Sequence, residues 1–527
     1  MLEASFAVVN AHVLTMNPDM PQARAVAVHG NEIVAVGSNE EIRGFVGPKT
    51  KVINAENGTL VPGLADCHVH MTDFGFLLQS LDLHSTGSIK EMQQKLRQYS
   101  HQNPGRSWIE GGRWDQERFA DKRLPTRWDL DEAVEDRPVL LKRVCGHIAV
   151  ANSKALQMAG IRKETAVEGG KVDLDAKTGE PDGILRENAL SIFSRVIPRP
   201  GLKQLEEACL LAASKAVEAG LTCVHWMVES AEEIRVLRKL DSEGRLSLRV
   251  RLGVSAELLD KLVKSRLFKD DEKGIVKMGF VKMLEDGSLG GHTAALNSSY
   301  SDKPKTRGML LYSQRALENL VLKVHTAGHQ MAAHAIGDRA IEVVLKAYEK
   351  ALKALPRIDH RHRIEHSSVL NSCLIKQMKN LDVIVSIQPH FVVSDFWVVS
   401  RVGKKRARWV YPFKTLLRKG LTIVSGSDCP VENISPLLGI WAAVTQNRPE
   451  ERLTTEEALA SYTLNAAYAS FEEERRGTIA AGKLADFTLL SEDLQSICSN
   501  HVKNVRVRMT IVDGKPVYTN EAFVGAL

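Results

Sequence analysis

Six side chains in this 527-residue sequence are of types and spacings that could hold divalent cations: His68, His70, Lys282, His334, His366 and Asp428. Imidazole nitrogens and carboxylate oxygens are standard ligands for zinc and other first-row divalent metals. His68 and His70 are two residues apart, so on a strand both face one target. A single histidine is an ordinary core or surface residue, and H-x-H arises readily by chance. The joint pattern carries more, because these residues fall at or near the C-terminal ends of five separate apolar runs.

Lys282 is the odd member of the set. An ammonium buried beside divalent cations is both desolvated and repelled, and both effects favour the free amine. A free amine takes up CO₂ to give a carbamate, an anion able to bridge two metals. On the sequence alone Lys282 could equally snorkel outward or pair with Glu285 or Asp286.

The elements that must position these residues read as alternating short apolar runs and helical stretches, the signature of βα units around a parallel sheet. Eight runs are expected as strands, near residues 60–70, 221–226, 246–254, 276–284, 330–337, 362–368, 383–389 and 421–428. Stretches such as LEEACLLAASKAVEAG and RAIEVVLKAYEKALKAL supply helices between them. Eight such units predict an α/β fold, a (β/α)₈ TIM barrel, whose sites lie at the C-terminal ends of the strands. The first and second strands are separated by far more chain than a βα connection needs, which predicts an inserted domain over 72–200 acting as a lid. Residues 1–59 and 472–527 hold short β-rich runs, with Asp513-Gly514 as a hairpin turn. These end segments are expected to pair as one discontinuous β-sandwich domain, leaving 60–71 and 201–471 for the barrel.

Composition narrows the function class. With 44% hydrophobic and 25% charged residues the chain reads as globular rather than disordered, and 70 basic against 64 acidic residues leave a mild +6. That excess is no footprint for nucleic acid. The seven cysteines are scattered without a C-x-x-C pair, so no disulfide framework is expected. No uncharged run of eighteen apolar residues occurs, and the N-terminal segment lacks a basic leader region. The expectation is a cytoplasmic protein acting on a small molecule, without membrane or nucleic-acid partners, and with a homo-oligomer as an open assembly state.

The string VPGLADCHVH, followed in order by Lys282, His334, His366 and Asp428, resembles the amidohydrolase superfamily of metal-dependent hydrolases. More narrowly, GGRWDQERF, RPVLLKRVCGHIAVANSKAL, KMLEDGSLGGHTAAL, HAIGDRAI, HRIEHSS and GSDCPV look like the branch that includes N-substituted formamide deformylase, over residues 5 to 520 or so. The resemblance implies that His68 and His70 are first-strand ligands, Lys282 a bridging carboxylated lysine, His334 and His366 ligands from the fifth and sixth strands, and Asp428 the eighth-strand ligand. The cofactor it implies is two divalent ions, zinc foremost. A hydroxide held by the metals would then attack a non-peptide C–N bond of an amide or N-acyl compound, with Asp428 taking the proton and delivering it to the leaving nitrogen.

Substrate contacts are expected from the insert and the seventh-strand loop: Trp114, Arg143, His147, Asp286, Gln388, His390 and Trp397, with Asp115, Phe391 and Phe396 nearby. Asn152 reads equally as a helix cap. Asp286, Glu365 and Asp338 could orient metal-bound histidines, although loop structuring and helix capping explain them more simply. The rivals are a cyclic amidase or a deaminase of the same superfamily, Lys282 arguing against the deaminase, and a non-catalytic scaffold, which would be expected to have lost ligands.

Overall fold

The computed structural model describes residues 3–143, 148–167, 170–259 and 274–523. Two compact units are present, one formed by Met1–Thr72 with Cys209–Leu527 and the other by Asp73–Ala208.

The first unit contains an eight-stranded parallel sheet. Its strands are β1 (Leu64–Val69), β2 (Leu221–Val228), β3 (Arg249–Ser255), β4 (Val276–Leu284), β5 (Met331–Ala335), β6 (Arg363–His366), β7 (Ile384–Ile387) and β8 (Ile423–Ser425). Each pairs with its sequence neighbour, the order expected when a helix returns the chain to the next position. The helix Asp338–Ala354 shows why: Ala340, Ile341, Val344, Leu345, Ala347, Tyr348 and Ala351 form one buried stripe at helical spacing. The sheet closes into a TIM barrel where β8 returns to β1. There Asp428 donates its N–H to the His68 carbonyl at 2.8 Å and His70 to the Cys429 carbonyl at 2.8 Å.

The barrel shares its unit with two further sheets. One holds Glu32–Gly37, Ala25–His29, Phe6–Val9 and Lys51–Asn54; the other interleaves the two ends of the chain. In the latter, Phe487–Leu490 runs antiparallel to Thr59–Pro62, with Leu489 opposite Leu60. Phe6, Val26, Ile33, Leu60, Phe487 and Ile511 belong to one buried cluster, so residues from both ends fill a common core. Asp513 and Gly514 both adopt positive φ, 53° and 73°, between Val507–Val512 and Lys515–Thr519. This is the backbone a two-residue hairpin requires.

The second unit has its own six-stranded mixed sheet. Helix Ile89–Gln102 starts where the Ser88 side chain accepts the Glu91 N–H, and it buries Ile89, Met92 and Leu96.

Inside the barrel unit a chain of three histidines has fixed proton positions. His360 Nδ1 accepts the His362 N–H at 2.9 Å, so its Nε2–H donates to the Leu381 carbonyl. His362 Nδ1 accepts the Met331 N–H at 3.0 Å, which leaves its Nε2–H for His325 Nδ1 at 2.9 Å. Burial, reinforced by His360, Arg357 and His325, holds the His362 imidazole well below the usual histidine range. The unfolded chain therefore takes up a proton at this position below pH ~6.5 that the folded chain refuses, and stability is lost as pH falls. A His362→Asn variant lacks this penalty. The unfolding free energy of wild type, measured against the variant's, is expected to fall by about 1.4 kcal/mol per pH unit below pH ~6.5, whereas parallel denaturation curves at pH 7.5 and 5.5 would contradict it.

Candidate metal centre

The six residues singled out in the sequence converge at the C-terminal ends of the barrel strands. His68 ends the inward run of β1, Lys282 lies on β4, His334 on β5, and His366 is the last residue of β6. Register explains the convergence, since Lys282 stands opposite Ser255 and Ala332, and Ala335 opposite His366. Asp428 lies three residues beyond β8. Both Asp428 (φ 58°) and His366 (φ 71°) hold left-handed backbone that side-chain-bearing residues rarely adopt, a strain that clusters at functional sites.

The ligand atoms of His68, His70 and Asp428 all lie within 4.8 Å of one another. Asp428 Oδ1 is 3.4 Å from His70 Nε2 and 3.5 Å from His68 Nε2, and Lys282 Nζ is 3.3 Å from the same His68 nitrogen. Ring centroids of His68 and His366 are 4.8 Å apart, those of His334 and His366 4.4 Å. Gly426 makes this approach of β8 to β1 possible: a Cβ there would sit 2.5 Å from the His68 backbone nitrogen.

The electrostatics suit ligand atoms. Burial, then the Lys282 charge, depresses His68 well below the usual range and His334 to about 3. Burial and the neighbouring His334 likewise lower His366. Their neutral rings therefore offer lone pairs. Burial also lowers the Lys282 amine to about 8, against the opposing pull of Glu365 and Asp428.

The imidazoles of His68, His366 and His334 are each oriented by a hydrogen bond on one nitrogen. His68 Nδ1–H donates to Glu365 Oε2 at 2.6 Å, His366 Nδ1–H to Gln388 Oε1 at 2.7 Å, and His334 Nε2–H to the Gly287 carbonyl at 3.2 Å. In each case the other nitrogen remains for a cation, the arrangement typical of metal-bound histidine. This donor set fits divalent metal. Asp66 was not singled out from the sequence, yet it accepts N–H bonds from His68 at 3.0 Å and from Ser427 at 3.1 Å, tying the two ends of the site together.

The centre faces a cavity of about 570 Å³ in the barrel unit. Its walls include Met227, Val228 and Met283, with Glu229, Glu257 and Tyr312 among the polar lining. Glu229 and Glu257 follow β2 and β3 and could have been found from their place just beyond strand ends. Tyr312 sits in a long loop that carries no such signal.

The side chains expected to contact substrate have the following surroundings. Trp114 is fully buried in the core of the Asp73–Ala208 unit, its Nε1–H bonded to the Leu141 carbonyl at 3.0 Å. It is a packing residue, and its large apolar surface accounts for its place. Arg143 is engaged by Asp115 Oδ1 and Gln116 Oε1, both at 2.7 Å. Asn152 caps helix Ser153–Met158. Asp286 accepts N–H bonds from Ala295, Ile336 and Gly337, bracing the loops after β4 and β5 behind His334. Gln388 is consumed by His366, and His390 Nδ1 pairs with Glu432 at 2.5 Å. Trp397 lies under the Arg401 guanidinium, 5.2 Å from its ring centroid. Asp286, Gln388, His390 and Trp397 are not among the residues that line the cavity. Phe391 stacks on the His366 ring, nearly parallel at 6.2 Å, while Phe396 is 86% exposed. Asp338 opens helix Asp338–Ala354 and accepts the Asn297 N–H. His147 lies outside the described residues.

A closed parallel barrel with histidine, lysine and aspartate gathered at its C-terminal rim defines the class of barrel hydrolases that work with metals. The amidohydrolase family model matches residues 51–518. The Bacillus subtilis protein YtcJ is 34% identical over 96% of this chain and 98% of its own, and the N-substituted formamide deformylase of Arthrobacter pascens is 26% identical over 96% and 97%. The crystal structure of an uncharacterized metal-dependent hydrolase from Pyrococcus furiosus superposes with a TM-score of 0.78 at 31% identity, covering 93% of this chain and 99% of that one. This chain belongs to the amidohydrolase family. Among the described residues no helix is long and apolar enough to cross a membrane.

Proposed function

We propose that this protein hydrolyses the C–N bond of a small, linear, uncharged amide or N-acyl compound, N-substituted formamides included. The observation that carries this reading is the convergence of His68, His70, Lys282, His334, His366 and Asp428 on one cavity. These residues would hold two divalent cations, zinc by the match of nitrogen and oxygen donors, with Lys282 as its carbamate between them. Bound cations supply Lewis acidity, polarising a carbonyl and bringing the pKa of water from about 15.7 toward 7.

The chain's own residues do the rest. Asp428 stands at the cavity wall with its side chain 12% exposed, placed to hold a proton and pass it to the leaving nitrogen, which cannot depart as an amide anion. The sulfur and methyl surfaces of Met227, Val228 and Met283 receive an apolar substituent. Glu229 and Glu257 repel anionic substrates, and among the described lining residues Lys282 is the only lysine or arginine. Carboxylate-bearing N-acyl compounds are therefore disfavoured.

The test is a panel assay on purified protein supplied with zinc and bicarbonate, reading primary amine release. Neutral N-alkyl and N-aryl formamides and acetamides are expected to turn over, with kcat/KM at least about tenfold above that of carboxylate-bearing analogues, the size of one unpaired charge contact. Ring opening of cyclic amides alone, or ammonia from aminopurines alone, would replace this reading with the cyclic amidase or the deaminase. Protein that takes up no metal when supplied with zinc and bicarbonate, and is inert toward the whole panel, would point to a scaffold.

A further inference from the structure

We propose that Arg363 is a positioning residue for the metal centre: through Glu365 it fixes His68 in the orientation and tautomer that present Nε2 to a cation. The proposal rests on the reading of His68 as a ligand.

Arg363 and Glu365 are two apart on β6 and point to the same side, into the barrel. Both side chains are fully buried, and Arg363 Nε lies 2.9 Å from Glu365 Oε1. The other carboxylate oxygen takes the His68 Nδ1–H at 2.6 Å. Glu365 Oε2 accepts that bond, which places the His68 proton on Nδ1 and leaves Nε2 without one. A solitary carboxylate in this interior would be strongly disfavoured by desolvation, and the guanidinium removes that cost.

Arg363 is itself held from three other strands. Nη1–H donates to His225 Nδ1 on β2 at 2.7 Å, and Nη2–H to the Cys67 carbonyl on β1 at 2.7 Å and to Ser386 Oγ on β7 at 3.3 Å. The acceptor role of His225 Nδ1 leaves its Nε2–H for Ser470 Oγ at 2.8 Å. The guanidinium plane lies against Phe280, 4.4 Å from the ring centroid. The planar guanidinium donates three hydrogen bonds while its Nε lies beside Glu365 as an ion pair, a combination that a lysine ammonium could not reproduce. The carbonyl it grips belongs to the residue before His68, so backbone and side chain of that histidine are set by one cation. A general structural clamp would need no such link, and Arg363 makes no contact with the cavity.

The experiment uses the full chain and zinc alone as probe, with affinity measured by chelator competition, Co(II) absorption as the spectroscopic readout and melting of metal-free protein as the fold control. Glu365→Gln keeps the shape but offers no charge. It is expected to bind zinc about 10–100-fold more weakly and to shift the Co(II) bands. Arg363→Met should match Glu365→Gln, and Arg363→Lys should recover part of the loss. Wild-type zinc affinity and wild-type Co(II) bands in Glu365→Gln would overturn the proposal, even if Arg363→Met failed to fold. A wild-type chain that took up no zinc would overturn the ligand reading of His68 and this proposal with it, a result distinguishable from the first by its appearance in the parent protein.

Discussion

An Asp428→Asn enzyme is expected to keep its fold and its metals and to lose about three orders of magnitude in kcat, inside the range of about 10² to 10⁴ that positioned proton transfer contributes. Asparagine is the same size, so the bonds that pin the backbone to His68 survive. One oxygen also remains to face His68 and His70, where Oδ1 now lies at 3.5 and 3.4 Å. What disappears is a group able to accept a proton and give it back. The loss should therefore appear in kcat with zinc saturating, and metal content measured on the same sample separates it from ligand loss. Full turnover with metal retained would remove Asp428 from the proton path.

The second large effect concerns Lys282. Lys282→Met keeps length and apolar bulk while deleting the amine that lies 3.3 Å from His68 Nε2. If that nitrogen carries the bridge between two cations, metal content should drop from about two per chain to one or fewer, and kcat by more than about a hundredfold. The metal-free variant should melt no lower than wild type, because a buried amine costs more than a buried thioether. Loss of function with stability unchanged or raised is the signature of a residue kept for chemistry. Unaltered metal content and rate would return Lys282 to the structural reading that its sequence context left open.

Much of the fold was legible because its signals are local. Eight apolar runs became eight strands, although most of the observed elements are shorter, Met331–Ala335 against an expected 330–337 and Ile423–Ser425 against 421–428. The excess residues at the C-terminal ends, Asp428 among them, leave the sheet to reach the site. Asp513-Gly514 announced its hairpin through backbone preference alone. The convergence of the six candidate residues was legible because H-x-H and strand-end positions encode direction as well as type. Substrate contacts were not, because an aromatic or arginine side chain looks the same in sequence whether it packs a core, as Trp114 does, or closes an ion pair, as Arg143 does. Arg363 escaped notice for a related reason. Its partners Cys67, His225 and Ser386 come from three other strands, and only the closed barrel brings them together.

The pairing of Thr59–Pro62 with Phe487–Leu490 sets the order in which the molecule can be completed during its synthesis. At about 5–20 residues per second, roughly 20–90 s pass between the emergence of the two strands. Through that interval Thr59–Pro62 lacks this partner and offers part of an open sheet edge to neighbouring nascent chains. Yield of active protein should therefore respond to translation speed and to expression level more than a self-contained barrel would, with the late-arriving C-terminal strands as the step that ends the exposure.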